Sequence, residues 1–249
     1  MSRYFIELFY KGTNYSGFQI QQNANSIQAE VEKALTIYFK YEFSLTGSSR
    51  TDAGVHALSN YFHFDTESLD KRGEEEFDKA VYHINAILPD DIVMKRIYKV
   101  KDDAHCRFDA ISREYKYYIY QHKTPFLADR AFFFPYKLDI NKLNEAAALL
   151  LDYEDFTSFS KKNTQVKTFQ CKLSKSIWQI ENDMLVFNVK GNRFLRGMVR
   201  GLVGTMIKVG TGKISVNDFR KIIEGKDCSK ADFSVPPQGL FLINVAYQQ

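Results

Sequence analysis

The order of predicted strands and helices is repeated in the two halves of the chain, and this repeat restricts the fold more than any other feature. In the first half, strands such as RYFIELFY (3–10) alternate with amphipathic helices such as NSIQAEVEKALTIYFK (25–40) in the order β-α-β-β-α-β. The second half runs in the same order from SREYKYYIYQ (112–121) to GLFLINVAY (239–247), with one short extra helix, SVNDFRKIIEG (215–225). This order is typical of the split βαβ, ferredoxin-like arrangement.

We therefore predict an α+β protein made of two tandem ferredoxin-like domains, residues 1–104 and 105–249. Each domain would have an antiparallel sheet with helices on one face, so that the two free faces flank a cleft. Asn25 and Gln28 have the spacing of a capping box and predict where the first helix begins.

Composition indicates a globular protein of the cytoplasm. Of the 249 residues, 45% are hydrophobic and 26% charged, and no apolar run is long enough to cross a bilayer. The N-terminal segment lacks the pattern of a signal peptide. Three widely separated cysteines, Cys106, Cys171 and Cys228, argue for a reducing compartment and against a disulfide framework.

Charge is distributed unevenly along the chain. Residues 1–105 carry 12 basic and 16 acidic side chains, whereas residues 106–249 carry 22 basic and 14 acidic ones. A basic half indicates a polyanionic partner, most simply nucleic acid, although a solvated charged surface gives the same count. Aromatic side chains are abundant, with 15 Tyr and 21 Phe available for packing or for stacking on bases.

Motifs for metals and nucleotide cofactors are absent from the sequence. The histidines have no i, i+4 pair, and they are His56, His63, His83, His105 and His122. The segment GTGKIS lacks the Walker spacing, and no Gly-x-Gly-x-x-Gly follows a strand. We predict no metal and no cofactor.

The segment LTGSSRTDAGVHALSNYFHFD (45–65) places Asp52 in a polar loop between two predicted strands. Loops on a rigid sheet commonly carry catalytic groups, and Arg50 would favour the ionised carboxylate or bind a phosphate. The alternative is a structural Asp-Ala-Gly turn, with an ion pair and with Gly54 at positive φ. From the loop alone both interpretations stay open.

A second constellation is the segment NRFLRGMVRGLVGTMIKV (192–209), which we predict to be a helix. Its three arginines, Arg193, Arg196 and Arg200, have a spacing that would place them on one face of the helix. Its three glycines are Gly197, Gly201 and Gly204. Each glycine inside a helix costs about 1 kcal/mol relative to alanine, so three indicate close backbone approach. The arginines would face an RNA backbone or extend into solvent above a tightly packed helix.

Taken together and in order, these motifs resemble those of the TruA family of tRNA pseudouridine synthases along nearly the whole chain. The similar segments are YKGTNYSGFQIQ (10–21), RTDAGVHA (50–57), HCRFDAISREYKYYIY (105–120), DFTSFSK (155–161), NRFLRGMVRGLVG (192–204) and PPQGLFL (236–242). The resemblance implies paired ferredoxin-like domains, a homodimer without metal or cofactor, and conversion of uridine to pseudouridine in the anticodon stem-loop of tRNA. The alternative is a non-catalytic RNA-binding protein on the same fold.

The resemblance also assigns roles to individual residues. It makes Asp52 the nucleophile and Tyr115 the residue that stacks on the target base and is the candidate for proton transfer. Arg200 would pair with the aspartate, Leu240 would line the pocket, and Arg50 would hold the flipped nucleotide.

The chain departs from the family pattern at two places. Ser48-Ser49 stand where the family usually has Ala-Gly, and Phe18 replaces a usual Trp. Neither change removes a reacting group, but the serines are expected to affect how the loop fits RNA.

Overall fold

The computed structural model describes residues 1–70, 73–162 and 166–248. Over these residues the chain has a mixed α+β fold with nine strands and five α-helices. None of the helices in this described part has the length and apolar character needed to span a membrane.

The chain divides into two compact units. The first unit combines Met1–Ile111 with Leu242–Gln249, and the second is Ser112–Phe241. The second predicted domain, 105–249, had included the C-terminal strand, whereas most of that strand belongs to the first unit. The physical reason is that the order of elements along the chain does not determine which strands pair. A distant segment can join any sheet edge whose register and face match its own.

The first unit is built around an antiparallel sheet. Its elements are β1 (Ser2–Tyr10), α1 (Ile27–Phe39), β2 (Thr46–Gly47), β3 (His56–Thr66), α2 (Glu74–Asn85) and β4 (Ile92–Lys99). Strand β1 is buried from Tyr4 to Leu8 and pairs with both β3 and β4, which explains why apolar residues occur on both of its faces. The C-terminal strand β9 (Leu240–Tyr247) lies beside β3, and its Tyr247 ring packs edge-on against Phe5 and Tyr61.

The second unit holds the remaining strands and helices. These are β5 (Ala110–Tyr120, whose first two residues belong to the first unit), β6 (Phe132–Phe133), α3 (Ile140–Leu149), β7 (Leu173–Glu181), β8 (Met184–Gly191), α4 (Met198–Gly210) and α5 (Val216–Glu224). Strand β8 pairs with β5 and β7 in antiparallel register. The β7–β8 hairpin turns at Asn182 and Asp183, both at positive φ, a backbone conformation that Asn and Asp tolerate well.

Element boundaries differ from the prediction at three places. The cap of α1 is Ser26, whose hydroxyl accepts the Ala29 N–H at 3.2 Å, and not the predicted capping box of Asn25 with Gln28. The Gln28 amide instead accepts the Ile20 N–H and donates to the Leu45 carbonyl, so it joins α1 to two loops. The short strand predicted before the Asp52 loop contracts to Thr46–Gly47, and α4 begins at Met198.

Candidate active site

The Asp52 loop (residues 48–55) combines buried side chains with accessible ones. Ser48, Ser49 and Thr51 are buried, with 3%, 6% and 8% of their surfaces exposed. Arg50 is exposed and Asp52 is half-buried. The loop is therefore anchored along its inner side, while the charged groups lie on the side that a ligand can reach.

Side chains from the strands beneath the loop provide this anchor. The fully buried Asn60 of β3 donates from Nδ2 to the Ser49 carbonyl at 2.9 Å and to the Tyr10 hydroxyl at 3.1 Å. The Tyr10 hydroxyl in turn shares a hydrogen bond with Thr51 Oγ1, 2.7 Å away, in which either hydroxyl can be the donor. Because these bonds are buried, breaking one leaves an unsatisfied polar group, which costs about 1–3 kcal/mol.

Backbone hydrogen bonds fix the other end of the loop. The Val55 N–H donates to the Asp52 carbonyl at 3.2 Å, and Gly54 between them adopts a φ of 77°, so the predicted turn is present. The Phe18 N–H donates to the Thr51 carbonyl at 3.1 Å. At Gly12 an added Cβ would lie 2.0 Å from the Val55 carbonyl oxygen, so only glycine permits this close approach.

The residues that depart from the family pattern lie on the inner side of the site. The Tyr247 hydroxyl lies 3.2 Å from Ser48 Oγ and donates to the Cys106 carbonyl at 2.6 Å. Phe18 is 1% exposed and stacks on Phe62, with ring centroids 4.4 Å apart. These contacts give the departing residues a role in supporting the loop.

Tyr10, Asn60 and Tyr247 were not singled out from the sequence. The sequence offers one indication for Asn60: an amide side chain within the strand ALSNYFHFD needs a hydrogen-bond partner if it is buried. Tyr10 and Tyr247 lie among many other strand tyrosines, and nothing local distinguishes them.

A cluster of possible metal-binding groups lies near this loop. His63, His105 and Cys106 place their ligand atoms within 4.8 Å of one another. Burial, together with the charge of Arg3, lowers the pKa of His63 to about 4, which keeps the imidazole neutral.

All three groups of this cluster are engaged in hydrogen bonds. His63 Nδ1 lies 3.1 Å from Cys106 Sγ, and that thiol donates to the Thr46 carbonyl at 3.2 Å. His105 Nδ1 accepts the Arg107 N–H at 3.1 Å. The residue types suit a zinc ion, although binding through His105 Nδ1 would displace this backbone bond. The absence of a metal stays a prediction.

The arginine segment (residues 193–204) differs from its prediction. Gly197 is the N-cap of α4 with a φ of 75°, a left-handed conformation that a helix cannot continue through, so the helix begins at Met198. The prediction that Arg193, Arg196 and Arg200 share one helix face is therefore wrong. Arg193 is half-buried and Arg196 exposed, both in the connection before the helix.

Arg200 lies in the first turn of α4 and binds backbone. Its Nε donates to the Val235 carbonyl at 2.8 Å, and its Nη2 approaches the Phe233 carbonyl at 3.4 Å. The predicted close approach at the helix glycines is confirmed. An added Cβ would lie 2.2 Å from the Asp232 carbonyl oxygen at Gly204 and 2.7 Å from the Phe233 ring at Gly201.

Tyr115 and Leu240, the other two predicted site residues of the second unit, lie on strands. Tyr115 is half-buried on β5, opposite Val189, with its ring edge-on to Phe194 at 5.0 Å. Leu240 begins β9 and is 7% exposed. The first unit thus contributes Arg50 and Asp52 to the predicted site, and the second contributes Tyr115, Arg193, Arg196, Arg200 and Leu240.

Comparison with known proteins defines the class to which this arrangement belongs. A family model described as tRNA pseudouridine synthase matches residues 9–109 and 146–248. Among relatives named tRNA pseudouridine synthase A, the Bacteroides fragilis protein is 48% identical over 100% of this chain and 98% of its own length. The Parabacteroides distasonis protein is 45% identical over 100% and 97%, and the Staphylococcus aureus (strain Newman) protein 39% over 96% and 89%.

These matches place the chain among the isomerases that act on uridine in tRNA. It belongs to the tRNA pseudouridine synthase family, and the predicted family and enzyme class are confirmed.

Proposed function

We propose that this protein isomerises uridine to pseudouridine in the anticodon stem-loop of tRNA, with Asp52 as the catalytic residue. The observation that carries the proposal is the Asp52 loop itself. Its inner side is fixed by buried hydrogen bonds to Tyr10 and Asn60, while Asp52 remains partly accessible to solvent. Such rigid support is what holding a reacting group in one geometry requires.

The reaction explains the use of a single carboxylate. The N1–C1′ bond of uridine breaks, the base turns within the site, a bond forms between C5 and C1′, and the proton leaves C5 while N1 gains one. Asp52 would attack the substrate covalently or stabilise a sugar cation, and both routes stay open. A second carboxylate that activates water, as in glycoside hydrolysis, would release the base.

We assign the remaining roles as the family resemblance implies. Tyr115 would stack on the target base and take part in proton transfer, Arg50 would hold the flipped nucleotide, and Leu240 would line the pocket. Arg200 would pair with Asp52. Flipping a base out of a duplex costs a few kcal/mol, and stacking on an aromatic ring recovers about 1–3 kcal/mol.

Affinity for tRNA would come largely from the basic second half of the chain. Arg193 and Arg196 would contact the RNA backbone, each neutralising a phosphate. In this proposal two tandem ferredoxin-like domains flank a basic RNA-binding cleft, and the protein acts as a cytoplasmic homodimer without metal or cofactor. Light scattering tests the dimer, and activity after treatment with a chelator tests the independence from metal.

Asp52→Asn tests the central assignment. We expect it to abolish pseudouridine formation in unmodified tRNA, read by carbodiimide-dependent primer extension, while tRNA affinity changes by less than about threefold. The control is Asp90→Asn, which removes an exposed carboxylate of the same unit and should leave activity unchanged. Wild-type protein that binds tRNA but modifies no uridine would instead identify a non-catalytic RNA-binding protein.

A further inference from the structure

A small cavity opens beside the Asp52 loop within the first unit. Its volume is about 200 Å³, below the roughly 300–1,000 Å³ of pockets for drug-sized ligands, so it suits a single base with its phosphate. Its lining includes Gln19, Gln28, Arg50, His105, Arg107 and Phe108. We call this cavity the Phe108 pocket.

Phe108 itself is exposed yet held in position. Its surface is 73% exposed, whereas most phenylalanines of the described chain are buried or half-buried. His105 Nδ1 accepts the N–H groups of both Arg107 and Phe108, at 3.1 and 3.4 Å. The His105 ring lies 4.2 Å from the Phe108 ring, and Asp109 accepts the His105 N–H at 2.6 Å. Because hydrogen bonds hold the turn that carries it, the exposed Phe108 ring is suited to stacking on a flat ligand.

The charges around the pocket select an anion. Arg50 and Arg107 supply two guanidinium groups, and the Arg107 guanidinium lies 5.7 Å from the centre of the Phe108 ring. None of the described residues that line the pocket is acidic. An aromatic ring beside two arginines is the combination that binds single-stranded nucleic acid, since the ring stacks on a base and the arginines bind phosphate.

The two glutamines that line the pocket differ in their contacts and exposure. Gln28 is committed to the Ile20 N–H, the Leu45 carbonyl and Glu32, so it forms a wall of the pocket. Gln19 is exposed, and its side-chain amide can donate to and accept from the edge of a base.

We propose that the Phe108 pocket is a subsite for one RNA nucleotide that flanks the target uridine, with its base on Phe108. The phosphate that joins it to the target nucleotide would lie at Arg50 and Arg107, so that Arg50 also holds the flipped nucleotide. Asp52 does not line the pocket, so the reacting base itself occupies a different place. Arg50 stands two residues before Asp52, so the occupant is a near neighbour of the target along the strand. The inference rests on the proposed function and deepens it.

The first test compares Phe108→Ala with Phe108→Trp, which keeps a stacking surface. Phe108→Ala should weaken tRNA binding about 5- to 150-fold, the equivalent of one lost base stack, and raise KM more than it lowers kcat. Phe108→Trp should restore both values. The matched control is Tyr82→Ala on α2, where the ring is 74% exposed, and it should behave as wild type. Equal losses in both Phe108 variants would overturn the proposal.

The second test locates the occupant. tRNAs carrying 2-aminopurine at single positions on either side of the target uridine are bound to the Asp52→Asn protein, with and without Phe108→Ala. We expect the 2-aminopurine fluorescence to be quenched at one flanking position, and this quenching to depend on Phe108. In a separate binding measurement, Arg107→Ala should reduce the salt dependence of tRNA binding by about one phosphate contact. Quenching that is unaffected by Phe108→Ala at every position would overturn the subsite.

The two proposals fail in different ways. If wild-type protein forms no pseudouridine, the proposed function fails whatever the Phe108 variants do. If wild-type protein is active and Phe108→Ala has wild-type affinity and KM, only the subsite fails.

Discussion

The Asp52 loop and the arginine segment both carry predicted site residues, yet they are held in different ways. Side chains hold the first, because Asn60 and Tyr10 bind the loop from the sheet beneath it. Backbone contacts hold the second, where Gly204 packs on the 232–233 backbone and Arg200 donates to nearby carbonyls. The loop should therefore be sensitive to loss of single polar atoms, and the arginine segment to added volume.

Adding one methyl group at Gly204 should have the largest effect on stability. The new Cβ would lie 2.2 Å from the Asp232 carbonyl oxygen. That backbone cannot easily move, since the Asp232 N–H donates to Thr205 Oγ1 at 2.9 Å. We expect Gly204→Ala to lower the free energy of unfolding by about 3 kcal/mol, measured by urea denaturation.

Gly201→Ala is the matched variant. Its Cβ would meet the half-buried Phe233 ring, a side chain that can rotate, and alanine gains about 1 kcal/mol of helix propensity. We expect a net change within about 1 kcal/mol. Equal losses at both glycines would show that backbone contact does not distinguish them.

Removing the amide of Asn60 should destabilise the protein less but affect the reaction. Asn60→Ala leaves the Ser49 carbonyl without this donor and breaks the chain through Tyr10 to Thr51. We expect a loss of about 2 kcal/mol in unfolding free energy and at least a tenfold lower kcat for pseudouridine formation at saturating tRNA.

Asn144→Ala provides the comparison for Asn60→Ala. Asn144 also makes two hydrogen bonds through its side-chain amide. It accepts the Trp178 N–H at 2.8 Å and donates to the Trp178 carbonyl at 3.0 Å. The stability loss should be similar while kcat stays unchanged. If Asn60→Ala kept full activity per folded molecule, the anchor beneath the Asp52 loop would have no catalytic role.

In the arginine segment, Arg200→Lys should have a modest effect on stability. Lysine keeps the charge but loses the planar fork that places Nε 2.8 Å from the Val235 carbonyl. We expect about 1 kcal/mol lower stability and a reduced kcat, with Arg220→Lys on α5 as an exposed control. Unchanged kinetics in Arg200→Lys would remove Arg200 from the proposed site.

Much of the fold could be predicted because hydrophobic periodicity is a local property. The order of strands and helices agrees with the structure in the first half, and in the second half it agrees except for the unpredicted two-residue strand β6. The extra helix predicted at 215–225 is present as α5, capped by Ser215 and Asp218. The start of α4 was wrong because Gly197 can serve as a helix residue or as a left-handed cap, and the spacing of arginines does not distinguish these.

The candidate site was predictable only where its residues are close in sequence. Arg50 and Asp52 lie in one motif, and both lie, as predicted, in a loop between two strands, β2 and β3. Their roles in the site stay predictions. The supports could not be predicted, because the Asn60–Tyr10 bond joins residues 50 positions apart and depends on how β1 and β3 align. Tyr247 comes from still farther along the chain, through the return of β9 to the first unit.

The smallest effect concerns Glu7, which supports the sheet under the Asp52 loop. Glu7 is 4% exposed and accepts from Ser59, Lys95 and Arg96 at 3.1, 2.9 and 2.7 Å. Burial raises the pKa of this carboxyl, but its three donors outweigh burial and lower it below the usual 4.5. The ionised form therefore stabilises the fold above that value, and the contribution is lost as pH falls through the lowered pKa.

Because Lys95 and Arg96 are more than half exposed, with side-chain values of 52% and 57%, we expect Glu7→Gln to cost less than about 1 kcal/mol at neutral pH. Thermal unfolding should show this difference shrinking as the pH falls below the usual 4.5 and through the lowered pKa, and a difference independent of pH would contradict the assignment.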